Sequence, residues 1–189
     1  MCGRYSFFDT EQLFERFNVP KVVLEDRYNV APSFDMPVII DDGSKHIEVM
    51  KWGLIPHWAK EEKTDYKLIN ARIETLAEKP TFKNLLKSQR CLVPARGFFE
   101  WHRTDEGKEP YYFHLDDIFA FAGLYDVWEH DDKVIDSYTI ITANAEGGIA
   151  DIHNRMPVIL TQKAETDWLN PDLSEPDEAL RVLDLRRDD

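Results

Sequence analysis

Arg90-Cys91-Leu92-Val93-Pro94-Ala95-Arg96-Gly97-Phe98-Phe99-Glu100-Trp101-His102 is where this chain turns to strand. Residues 91–93 form a short apolar run, and 97–102 are aromatic-rich; both read as strands. Further strands are predicted at 111–115, 119–128, 134–142 and 158–160. Upstream, 5–8 reads as a strand. A helix follows, with Asp9 and Gln12 resembling a capping box and Leu13, Phe14 and Phe17 on one face. Residues 28–34, with Pro32, read as a loop. Residues 37–41 and 46–52 form a hairpin around Asp41-Asp42-Gly43-Ser44. Ile69, Ile73 and Leu76 have helical spacing, and Phe82, Leu85 and Leu86 suggest a second short helix. Downstream, Thr161 caps a helix through Leu169, and 175–183 form the last one. The strands come in runs joined by short turns and do not alternate with helices, which argues against a doubly wound nucleotide fold. No glycine-rich phosphate loop occurs. The reading is α+β: a compact, β-rich single domain over 1–189, with mixed and antiparallel sheets and peripheral helices.

The composition fits this. A chain of 189 residues that is 43% hydrophobic and 12% aromatic can bury a sizeable core. No apolar run approaches the ~20 residues of a membrane span, and the N-terminus lacks a signal-peptide layout. The expectation is a cytoplasmic monomer without membrane contact, nucleoid-associated in a bacterium. Cys2 and Cys91 make neither a disulfide framework nor a paired-cysteine metal signature. Together with His57 and His153 they show no ligand spacing, so neither metal nor cofactor is expected. The net charge of -13 argues against nucleic acid when read alone. The acid is densest at Asp131-Asp132 and from Glu175 to Asp189, however, whereas Arg4, Arg72, Arg96 and Arg155 recur in aromatic, turn-rich segments. A local basic cleft on an acidic body is compatible with that pattern.

The chemistry begins at Met1-Cys2-Gly3-Arg4. An initiator Met before a small residue is removed by aminopeptidase, which leaves an α-amine and a thiol on Cys2. This 1,2-aminothiol attacks an aldehyde through nitrogen to give an imine, and sulfur then closes a thiazolidine ring. Reference pKa values of roughly 8 for the amine and about 8.5 for the thiol lie near neutrality, so modest help from neighbours would supply free amine and thiolate. The bland alternative is a frayed terminus.

Glu100 lies in Gly97-Phe98-Phe99-Glu100-Trp101, where strand alternation leaves aromatic residues on both faces. Such a carboxyl can act as an acid near neutral pH. Alternatively it is a strand-end Glu paired with Arg96. His153, in Asp151-Ile152-His153-Asn154-Arg155-Met156-Pro157, is either a general acid/base beside a phosphate-binding Arg or a surface histidine. Asn70 opens Asn70-Ala71-Arg72-Ile73-Glu74-Thr75. It is either the N-cap of a helix or an amide that orients Cys2 or a sugar, with Arg72 on phosphate. Trp52 and Trp58 bracket a Gly- and Pro-punctuated loop. They serve either the core or base stacking.

Six of these segments occur together: Met1-Cys2-Gly3-Arg4, Tyr28-Asn29-Val30-Ala31-Pro32, Trp52-Gly53-Leu54-Ile55-Pro56, Ile69-Asn70-Ala71-Arg72-Ile73-Glu74-Thr75, Gly97-Phe98-Phe99-Glu100-Trp101 and His153-Asn154-Arg155-Met156-Pro157. The ordered set resembles the SRAP family of SOS response-associated peptidases, or abasic-site processing proteins. The resemblance implies a β-rich α+β fold with a groove for single-stranded DNA, and covalent capture of abasic sites by a thiazolidine on the N-terminal Cys. It also implies AP lyase activity and self-processing peptidase activity.

By position, Cys2 matches the nucleophile and Asn70 the residue that places it. Glu100 matches the acid/base for sugar opening, and His153 the residue of imine chemistry, strand cleavage and crosslink reversal. Arg4, Arg72 and Arg155 match backbone contacts, and Pro32, Trp58 and Trp101 match groove positions near the lesion. Two other classes stay open. An N-terminal Cys-Gly also begins glutamine amidotransferases and other N-terminal-nucleophile amidohydrolases. A noncatalytic single-strand binder would use the tryptophans alone.

Overall fold

The computed structural model describes residues 2–63 and 68–187. Its strands are β1 (Tyr5–Phe7), β2 (Arg27–Val30), β3 (Asp35–Asp41), β4 (Lys45–Trp52), β5 (Asn70–Arg72), β6 (Arg90–Thr104), β7 (Gly107–His130), β8 (Lys133–Asn144) and β9 (Arg155–Pro157). The helices are α1 (Thr10–Phe17), α2 (Pro80–Lys83), α3 (Leu85–Ser88), α4 (Gly147–Ala150), α5 (Gln162–Leu169) and α6 (Pro176–Leu183), with a 3-10 turn at Ile73–Thr75. The expected strands after Arg90 are present but fused. Residues 91–93 and 97–102 are two halves of β6, and 111–115 and 119–128 two halves of β7. The register jumps from Ala95↔Phe119 to Gly97↔His114, so an irregularity joins the halves and bends the pair. Gly97 is required at that bend. A Cβ there would lie 2.4 Å from the Tyr112 ring and 2.6 Å from the Phe113 carbonyl oxygen.

All nine strands belong to one sheet, and part of it closes. β6 pairs with β3, β3 with β4, β4 in parallel with β8, β8 with β7, and β7 back with β6. Closure satisfies the edges of these strands against one another. The other strands use what remains. β1 pairs with β6 at Phe98 and Gly97, and β2 extends β1. β5 lies parallel to β8 over Ile140–Thr142, and β9 takes up the end of β8 that β7 has left.

The core is aromatic: Tyr5, Trp52, Phe98, Phe121 and Tyr138 are all buried. Tyr5 meets Trp52 edge-on at 5.1 Å and Phe121 at 5.9 Å. Burial of each such ring contributes about 1.5–3 kcal/mol. Arg90 is buried beneath the helices, where it donates to the carbonyls of Leu86, Trp168 and Asn170 at 2.6–2.7 Å. Those bonds satisfy an otherwise costly charge and tie α3 and α5 to the sheet.

Several local expectations change. Asp9 precedes α1 but has a left-handed backbone and no side-chain cap; its carboxylate pairs with Arg96 at 3.2 Å instead. The first half of 28–34 belongs to β2 rather than to a loop. Asn70 is a strand residue and caps no helix, because β5 takes its hydrogen bonds from β8 and only one 3-10 turn follows. The run 158–160 forms no strand of its own and makes isolated bridges through Ile159 and Leu160. The hairpin at 37–52, the Thr161 cap and the last helix stand as expected.

Candidate functional site

Strand β1 is held between β2 and β6, and the chain runs from it back to Cys2. Pairing continues past β1, where the Phe99 N–H donates to the Arg4 carbonyl at 2.9 Å. This brings the N-terminus alongside the second half of β6, which carries Glu100 and Trp101. Cys2 and Glu100 are both buried. Burial pushes the Cys2 thiol well above its ordinary range, and the nearby Glu100 charge pushes it further. An N–H bond from the Arg4 backbone offsets only part of this. The expected help toward a thiolate is therefore outweighed. Desolvation penalises the anion, and the nearby carboxylate repels it. The initiator Met1 lies outside the described residues.

The suggested partner of Glu100, Arg96, is engaged elsewhere. It pairs with Asp9, donates to the Asp116 carbonyl and covers the Phe8 ring. Sequence alternation had placed Glu100 among aromatics, and the structure keeps it there, on a 2%-exposed position two residues from Phe98.

A second group assembles where β5, β8 and β9 meet. Asn70 and Arg72 share one face of β5, while Ala71 between them faces the core. The Asn70 amide nitrogen donates to the Ile69 carbonyl at 3.0 Å. Its oxygen is buried and accepts no hydrogen bond among the described residues. An orphaned acceptor of this kind is rare in folded proteins and is suited to an incoming donor.

Arg72, Thr142, Asn144, His153, Asn154 and Arg155 line one depression of about 380 Å³. Arg72 is exposed. Arg155 grips both oxygens of Glu74, at 2.6 and 3.0 Å, and also donates to Asn144 Oδ1 at 2.8 Å and the Thr142 carbonyl at 2.7 Å. His153 sits on a turn closed by its own N–H donating to the Ile149 carbonyl at 2.9 Å. The Arg155 backbone N–H donates to His153 Nδ1 at 3.0 Å. The Arg155 carbonyl oxygen lies 3.2 Å from the same Nδ1, so the Arg155 backbone offers this ring nitrogen both a donor and an acceptor.

The aromatic candidates separate. Trp52 is core, with its Nε1 donating to the Ile69 carbonyl at 3.0 Å. Trp58 is 63% exposed and Trp101 36% exposed. Pro32 lines a different depression of about 420 Å³, with Lys51, Trp52, Glu62 and Ile69 among its walls. That depression reaches the residue before Asn70. Trp58 lines neither depression. Its loop is fastened to β7: the His57 N–H and Nδ1 both meet Asp126 Oδ2, at 2.8 and 2.9 Å, and Trp128 Nε1 donates to the Ala59 carbonyl. Arg4 donates to Asn29 Oδ1 at 3.0 Å across β1 and β2.

Sequence reading assigned nothing to Glu74, Asp126 or the Tyr5–Tyr138 pair. Glu74 lay inside a quoted segment, and only its spacing from Arg72 hinted at a local role. The two tyrosines are 133 positions apart, and no linear signal connects them.

Comparison with known proteins identifies the family. The family model "SOS response associated peptidase (SRAP)" matches residues 1–188. The chain is 46% identical over 187 residues to "Abasic site processing protein YoqW" of Bacillus subtilis, covering 94% of this chain and 84% of that protein. It is 33% identical over 191 residues to "Abasic site processing protein HMCES" of Xenopus tropicalis, covering 82% of this chain and 57% of that longer protein. A crystal structure of a Bacteroides thetaiotaomicron protein superposes with a TM-score of 0.86 at 33% identity, over 96% of this chain and 86% of that one. The β-rich mixed sheet, the ordered motifs and these matches make this chain a member of the SRAP family.

Proposed function

We propose that this protein captures abasic sites in single-stranded DNA covalently, through a thiazolidine formed by Cys2 once Met1 is removed. The observation that carries the reading is the placement of Cys2, buried at the head of β1 and close enough for Glu100 to act on its thiol. The names of the relatives support abasic DNA as the substrate.

Glu100 donates a proton to the deoxyribose ring oxygen as its bond to C1′ breaks, the C1′ hydroxyl gives its proton to water, and the sugar opens to its aldehyde. The Cys2 α-amine attacks C1′ and water leaves, giving an imine. The Cys2 S–H then adds across the C=N bond. Sulfur bonds to C1′, and the thiol proton passes through Glu100 to nitrogen. One water is released overall. Because the site disfavours a thiolate, nitrogen attacks first, and sulfur ionises only as it bonds. Asn70 uses its orphaned oxygen to hold the amine or a sugar hydroxyl.

Where the imine escapes sulfur, His153 removes a C2′ proton and the 3′ phosphate leaves, which is AP lyase cleavage. Arg4 and Arg72 carry the strand's phosphates, with Arg155 beside Arg72. Trp58, Trp101 and Pro32 contact the bases around the lesion. Self-processing peptidase action would release the residue before Cys2, the same step that aminopeptidase performs on an initiator Met. The protein works as one domain and as a cytoplasmic monomer.

Intact mass spectrometry tests this directly. The chain should be lighter by one Met, and abasic single-stranded DNA should add its own mass less one water. An adduct that survives in Cys2→Ala would overturn the assignment.

A further inference from the structure

Arg155 has five N–H donors on its guanidinium. Its two terminal nitrogens are committed to Glu74, Asn144 and Thr142, at 2.6 to 3.3 Å. Only Nε–H remains, and it is buried without an acceptor among the described residues. The side chain is 12% exposed. Arg72 beside it is exposed. The two arginines of this depression therefore do different work. A phosphate can reach Arg72 as it stands, but reaching the forked end of Arg155 requires breaking a bidentate ion pair.

Arg155 instead holds local structure. Its side chain bridges the 3-10 turn that bears Glu74 to the end of β8, and its backbone N–H donates to His153 Nδ1. Glu74 is held below the usual carboxylate range, first by its bond from Arg155, so it is charged at neutral pH.

We propose that Glu74 is a positioning residue: it locks Arg155, and through the Arg155 backbone groups on Nδ1 it fixes the orientation and the tautomer balance of the His153 ring. This rests on the role given to His153 above. Glu74 touches neither DNA nor the reacting atoms. It holds the histidine ring in place, much as a carboxylate orients a catalytic imidazole, but with a guanidinium and a backbone segment in between.

The test uses the full chain in four forms: wild type, Glu74→Gln, Glu74→Asp and Arg155→Lys. His153→Ala assigns the His153 ring signals and serves as control. Ring 15N shifts, read at a pH where the ring is neutral, should report one dominant tautomer in wild type and a different tautomer ratio in Glu74→Gln and Arg155→Lys. In single-turnover assays with abasic single-stranded DNA, crosslink formation by Glu74→Gln should stay within about twofold of wild type. Strand scission and crosslink release should fall roughly tenfold, within the range of lost acid/base catalysis. Glu74→Asp, which keeps the charge, should restore most of the wild-type tautomer and rate.

An unchanged tautomer in Glu74→Gln, or scission unchanged while His153→Ala abolishes it, overturns the positioning role. So does tighter DNA binding with both readouts unchanged, which would make Glu74 a mere counter-charge. If His153→Ala itself leaves scission and release intact, the role of His153 is what fails, and the ring shifts still decide whether Glu74 sets its tautomer.

Discussion

The phenol oxygens of Tyr138 and of Tyr5, which follows Cys2 by three residues, lie 2.8 Å apart in the buried core. One hydroxyl donates to the other, and burial holds both phenols protonated, well above their ordinary range. This bond fastens strand β1 to β8, and so fixes the segment from which the N-terminus reaches Glu100. Either Tyr5→Phe or Tyr138→Phe leaves one buried hydroxyl alone and should destabilise the fold by ~1–3 kcal/mol. The double Phe variant removes both groups and should lie closer to wild type than the sum of the two. Urea denaturation of the three variants measures the coupling. Strict additivity would mean the bond contributes nothing.

Cys2→Ser keeps the amine and loses the sulfur. It should still form an imine that borohydride traps, but no heat-stable adduct without reductant. Denaturing gels before and after heating separate the two. A heat-stable Cys2→Ser adduct is incompatible with ring closure by sulfur.

Glu100→Gln should have two opposite effects. Crosslinking should slow by about 10²-fold, the scale of a lost general acid. The Cys2 thiol should ionise at lower pH than in wild type, because one of the two influences raising it is the Glu100 charge. Rates of alkylation at Cys2 against pH report the second effect. A variant in which crosslinking and thiol ionisation both stay as in wild type would remove Glu100 from the mechanism.

Arg72→Ala should lower the log-log salt slope of single-strand binding by about 0.7, the loss of one phosphate contact. Arg155→Ala should change that slope much less, since its terminal nitrogens face Glu74, Asn144 and Thr142. Equal losses in both variants would mean that DNA opens the Arg155–Glu74 pair.

Glu62 accepts from Lys51 of β4 and Lys133 of β8, and those two bonds lower its pKa from an ordinary 4.5 to about 2. A depressed carboxylate stabilises the fold above its unfolded value and loses that contribution as pH falls through the folded one. Wild type and Glu62→Gln should therefore differ in melting temperature at pH 6 and converge between about pH 4.5 and 2. A constant gap over that range would show that the carboxylate charge is not the cause.

The sequence alone determined the fold class and picked out the candidate reacting groups. Cys2 behind a removable Met, Glu100 among aromatics, and the order of six short motifs are properties of neighbours along the chain, as are hairpin turns, alternation and the Thr161 cap. Local sterics and hydrogen bonding decide these within a few residues. The β-rich class followed from strands met in succession. The N-cap alternative for Asn70 fails for the same reason. Ile69, Ile73 and Leu76 do have helical spacing, but β8 offers a parallel edge that only the folded sheet creates, and its hydrogen bonds outweigh a weak local preference.

What the tertiary structure decided depends on pairs far apart. The closing of β6 onto β3 and β7, the grip of Arg155 on Glu74 across 81 positions, and the Tyr5–Tyr138 bond across 133 positions leave no periodic trace. The ionisation of Cys2 belongs here too. The sequence shows a thiol, but whether its neighbours favour or oppose a thiolate depends on how deeply β1 buries it and on which charge β6 sets beside it.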